Sequence, residues 1–217
     1  MSRPTKVAAV RSALIAGLVT LSSSLALAER AAPARVIKCE GPFSREAGHA
    51  DLVQAFGASN VVEQEIEGVE GATMKASVLY PGDPKARLEI TWSDEQARRG
   101  PIVRATDQSA WAAASGIRIG TALGEVEKIN GKPFKLSGFD WDLGGWVLDW
   151  QGGALGQPQP GGCVIGIEFV HPEDAPEANL SKVIGDNEFL SDSADMRAVA
   201  PYVGAVTISY PALNTKR

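Results

Sequence analysis

Chemically versatile side chains are scarce in this sequence. Its 217 residues include two histidines and two cysteines. Two distant thiols and two separated imidazoles lack the ligand spacing of a zinc site, so no metal is expected. His49 and His171 are the only candidate imidazole bases, and neither stands beside a nucleophile in a recognisable pattern. A Gly-x-Ser-x-Gly elbow is missing, as are a phosphate loop and a dinucleotide-binding glycine motif. No cofactor is therefore expected. Basic clusters are missing too: Arg98-Arg99 is the densest. A surface without them cannot neutralise a phosphate backbone, which excludes nucleic acid as a partner. No apolar run reaches the roughly 20 residues that span a bilayer, so stable membrane insertion is not expected.

The N-terminus carries the clearest positive signal. Arg3, Lys6 and Arg11 precede an apolar, serine-containing stretch from Ser12 to Leu25, and Ala26-Leu27-Ala28 supplies a small-x-small triplet. This order is that of a secretory signal peptide over residues 1–28, which makes the remainder periplasmic or secreted. A buried N-terminal helix is the alternative. With those three cations set aside, 18 of the 21 basic side chains remain against 26 acidic ones, a net charge of −8 that favours solubility. Residues 29–43 read as a leader and a segment carrying Cys39. An even cysteine count in an exported chain predicts a Cys39–Cys163 disulfide, with two free buried thiols as the alternative.

Hydrophobic periodicity then predicts an α+β fold, with antiparallel sheets and short helices. Ser44 is placed to cap a helix that runs to Phe56 and stops at Gly57. Strands are expected over 60–66, 73–80 and 87–92. The last two alternate and flank the turn signal Pro81-Gly82-Asp83-Pro84. A polar loop over 93–100 leads to a strand at 102–105. Thr121 is placed as the N-cap of a second helix, with Leu123, Val126 and Ile129 on one face and Asn130-Gly131 as its exit. Strands follow at 133–136, 145–150, 163–170 and 205–210, with a short helix near 196–200. The order of helix, glycine stop and hairpin occurs twice. It divides the chain into a first helix-plus-sheet unit, 44–106, and a second, 107–217, as a tandem repeat. One irregular domain is the alternative.

The run from Gly116 to Pro133 carries Gly120-Thr121, Glu125-Val126 and Gly131-Lys132-Pro133. This pattern resembles small exported bacterial domains with the β-lactamase-inhibitor-protein-like fold and outer-membrane assembly lipoproteins of the SmpA/OmlA type. The resemblance covers about 18 residues. It implies a helix-plus-sheet fold used for protein binding rather than catalysis. The family's lipid-anchor cysteine and the methionine before its threonine have no counterpart here.

Three of the five tryptophans fall within ten residues: Trp141, Trp146 and Trp150. With Phe139, Asp140 and Asp142 they form an aromatic segment broken by aspartates and glycines, which suits a recognition surface. Alternation puts Trp146, Leu148 and Trp150 on one buried strand face and leaves Phe139 and Trp141 partly exposed. The aspartates near Gly144-Gly145 read as a solvated turn, since the full calcium loop with its distal glutamate is missing. The expected function is a non-enzymatic binding or interaction protein in the periplasm, with a protein partner favoured. A hydrolase using paired carboxylates and a structural envelope protein are the alternatives.

Overall fold

The computed structural model describes residues 35–68 and 71–211. The predicted signal peptide, the start of the leader and residues 212–217 lie outside the described residues. The fold is α+β. Strands β2 (Val61–Glu67), β3 (Thr73–Leu79), β4 (Leu88–Asp94) and β5 (Arg99–Thr106) form an antiparallel meander. Later in the chain come β9 (Val164–Val170) and β11 (Tyr202–Ser209), which complete a six-stranded sheet in the order β2-β3-β4-β5-β11-β9. Residues 44–106 and 107–217 therefore meet along the β5–β11 ladder. A three-stranded sheet combines β7 (Lys135–Ser137), β8 (Val147–Asp149) and β10 (Glu188–Leu190) in the order β10-β7-β8. A bridge between Trp146 and Glu168 joins it to the edge of the larger sheet.

Strand pairing sorts the side chains onto two faces. Ser77, Ile90, Val103, Ile208 and Ile165 are direct cross-strand partners in sequence, so they share one face. All five are buried. Helices α1 (His49–Phe56), α2 (Leu123–Asn130) and α4 (Ala194–Val199) cover this face with Leu52, Leu123, Val126, Met196 and Val199, which gives a two-layer core. Phe134 stacks on Phe169 at 5.7 Å and extends that core beneath β7. The other face carries the row Val62, Val78, Glu89, Arg104, Thr207 and Gly166, again paired directly from strand to strand.

Several local expectations change. Ser44 does not cap α1: its N–H closes the preceding 3-10 turn on Gly41, and α1 starts after Gly48, whose N–H donates to Asp51 Oδ2 at 2.8 Å. Thr121 does not cap α2, because Oγ1 accepts from Arg118 N–H at 3.1 Å. Ile129 is 38% exposed, and the buried face of α2 closes with Asn130 instead. The polar loop over 93–100 is mostly hairpin, since β4 runs on to Asp94 and β5 starts at Arg99, opposite it. Ladder bonds use the backbone, so polar side chains do not prevent pairing there. The short strands β1 (Val36–Ile37) and β6 (Ala112–Ala113) pair in parallel. Beside them Cys39 and Cys163 form a disulfide, with Cα atoms 5.9 Å apart. The acidic stretch after β9 contains α3 (Glu177–Leu180) and β10.

A groove on the open face of the sheet

The 138–146 segment is held at both ends by backbone. Phe139 N–H donates to Val183 and Gly185 N–H donates to Phe139, both at 2.8 Å. Gly145 has φ of +72° and lies against the Phe169 carbonyl, leaving no room for a Cβ. Only glycine meets both demands. Phe139 is 2% exposed and packs edge-on against His171 at 5.6 Å. The expectation that it is partly exposed is thus corrected: the Val183–Gly185 clamp draws its ring inward. Trp141 is 38% exposed, and its Nε1–H donates to Gly138 O at 3.0 Å. Leu143 is 46% exposed beside it.

The shared face of Trp146, Leu148 and Trp150 is also corrected. Lys135 pairs with Asp149 while Leu136 pairs with Val147, so Leu148 is the extra residue of a bulge. A bulge shifts the alternation by one position. Leu148 turns outward, 49% exposed, and the two half-buried tryptophans part company. Trp150 packs on Phe134 at 5.2 Å, against the core. Trp146 comes to the open face, over Gly166, where a Cβ would lie 3.4 Å from its ring.

That open face holds a groove of about 1230 Å³. Its floor is Glu89, Thr91, Ile102, Arg104, Glu168 and Thr207; one wall is the β2–β3 hairpin with Ile66, Glu67 and Met74. The opposite wall is Asp142, Leu143 and Trp146. Of the six residues predicted for binding, the structure brings Asp142 and Trp146 into the groove. Asp140 and Trp141 stay on the outside of the same loop, Phe139 is built into the core, and half-buried Trp150 packs against it.

Ion pairs organise the floor. Arg104 Nη2 donates to Glu168 Oε2 at 2.6 Å, and its guanidinium lies 5.9 Å from the Trp146 ring. Arg87 Nη2 donates to Glu89 Oε1 at 2.7 Å. Arg104 Nε and Thr207 Oγ1 are buried without a hydrogen-bond partner among the described residues. At the outer edge of the loop, His171 faces two acceptors, Pro172 O at 2.9 Å and Asp140 Oδ1 at 3.1 Å. The Pro172 carbonyl above all, with Asp140 helping against partial burial, raises the His171 pKa above its ordinary value. Comparison with known protein families, curated proteins and solved structures yields no match. Arg104, Glu168 and Thr207 escaped the sequence reading. Their signal was present as polar residues between buried ones, as in Val103-Arg104-Ala105 and Ile167-Glu168-Phe169. Nothing in the sequence marked those polar positions as lying opposite one another.

Asp140, Asp142 and Asp149 do not converge. Asp140 accepts from His171, Asp149 Oδ1 accepts from Gln151 N–H at 2.7 Å, and Asp142 lies in the groove wall. Among the described residues, no three His, Cys, Asp or Glu side chains are grouped to hold a metal ion. Nor is any described helix long and apolar enough to cross a membrane.

Proposed function

We propose that this chain is exported under its N-terminal signal, folds in an oxidising compartment such as the periplasm, and works there as a non-enzymatic binding protein for another protein. The observation that carries the reading is the 139–146 loop, which presents Leu143 to solvent in the wall of a large groove and Trp141 on the outer side of that wall. Exposed tryptophan suits protein recognition, because tryptophan is enriched among the few side chains that supply most of the energy of a typical interface. The disulfide supports the compartment. Kinship with the β-lactamase-inhibitor-like and SmpA/OmlA-type domains belongs to the same proposal. In its support, α1 is followed by the β2–β5 meander and α2 by the β7–β8 pair and β9.

The carboxylate-hydrolase reading gains nothing from the groove. Glu89 and Glu168 are each committed to an arginine rather than to one another. A purely structural role leaves the groove and the exposed Trp141 without a purpose. The test is crosslinking in the native compartment, read by mass spectrometry, for the parent protein and Trp141→Ala. The variant is expected to lose most of the partner signal, about tenfold or more, while keeping its cooperative melt. Loss of the melt would make Trp141 a structural residue and sink the reading.

A further inference from the structure

The groove's own chemistry specifies what kind of partner fits it. Its volume of about 1230 Å³ exceeds the roughly 300–1,000 Å³ of small-ligand pockets, and it lies open along the sheet face, which suits a length of polypeptide. Its charge is one-sided. Among the described residues, Glu67, Glu89, Asp142 and Glu168 line it against one cation, Arg104. Arg104 is already engaged by Glu168, and Glu89 by Arg87. Glu67 and Asp142, on opposite walls, are exposed and make no hydrogen bond or ion pair among the described residues. An anionic ligand therefore meets net repulsion, and a cationic one meets two free carboxylates.

Between the carboxylates the walls are apolar: Ile66, Met74, Leu143 and the Trp146 ring. Lysine and arginine suit this combination, since their methylene stems pack on apolar surface while the charged ends reach outward. The open face of Trp146 also attracts cations directly. On the floor, Arg104 and Thr207 are cross-strand partners, and Arg104 Nε and Thr207 Oγ1 are covered from solvent.

Resting on the reading of the chain as a protein binder, we propose that the groove takes a basic, extended segment of the partner, its cations meeting Glu67 and Asp142 and its methylene stems packing on Ile66, Met74, Leu143 and Trp146.

The test uses two blocked eight-residue peptides, one alternating lysine with leucine and the other glutamate with leucine. Each is titrated into the isotopically labelled full chain and followed by NMR. The lysine peptide is expected to shift the Trp146 indole N–H together with the Thr207 amide, with affinity falling as salt rises. The double variant Glu67→Gln/Asp142→Asn is expected to weaken it about tenfold, two exposed ion pairs' worth, with an unchanged melt. Equal binding of both peptides, or lysine-peptide shifts that leave Trp146 and Thr207 unmoved, overturns the inference. If a native protein still crosslinks through the 139–146 loop in that case, the binder reading stands and only the basic-segment assignment falls. If no protein crosslinks, both fall.

Discussion

His171 is the residue whose surroundings most directly set its charge. Both ring nitrogens face acceptors, the Pro172 carbonyl and the Asp140 carboxylate, and the ring edge packs on Phe139. Only the imidazolium can donate to both at once. Its folded pKa is raised above 6.5, with the Pro172 carbonyl as the first cause and Asp140 as a lesser one against partial desolvation. A raised value in the folded state means that the stabilisation is complete below the unfolded pKa and is lost as pH rises through the folded one. The loop is therefore tied most firmly to the end of β9 in mildly acidic solution. An NMR titration of the His171 ring is expected to give a midpoint above 6.5 in the parent and a lower one in Asp140→Asn. Because the carbonyl remains, the variant keeps part of the shift. An identical midpoint in both proteins removes Asp140 from the account.

Among the elements, the junction of the 139–146 loop with β9 is the most demanding. Gly145 combines a left-handed φ with the approach of the Phe169 carbonyl. Gly145→Ala is expected to cost about 2–4 kcal/mol, left-handed strain plus overpacking, and to free Trp146 from its place over Gly166. Urea unfolding followed by tryptophan fluorescence and near-ultraviolet circular dichroism reads both effects. Near-wild-type stability would mean that the edge pairing is dispensable. Little of this junction was legible beforehand. Strands β4 and β9 were, because buried residues such as Leu88, Ile90 and Trp92 recur at every second position. Helix α2 was, because Leu123 and Val126 lead to a Gly131 with φ of +75°. Strand β8 misled, because alternation presumes a regular ladder and the bulge at Leu148 breaks it. Two-residue strands such as β1 and β6 are too short to show any period, so only the tertiary fold reveals them.

For the molecule as a whole, the disulfide spans 124 positions. In the chain-entropy account, closing so long a loop stabilises the fold by up to about 4–5 kcal/mol. Denaturant titrations of the parent, of the parent under reductant and of Cys39→Ser/Cys163→Ser are expected to show the last two alike and less stable by most of that amount. A difference under about 1 kcal/mol would make the bridge incidental to stability. Sheet order has a consequence for how the protein is made. Strand β11 is the latest of the described strands in the chain, yet it sits between β5 and β9. A nascent polypeptide that has emerged only as far as β9 holds the β2–β5 ladder with β5 as a bare edge, a β9 without its strand partner and a core open between them. The six-stranded sheet cannot close until β11 enters between β5 and β9, so its completion waits for that strand and then proceeds in one cooperative closure.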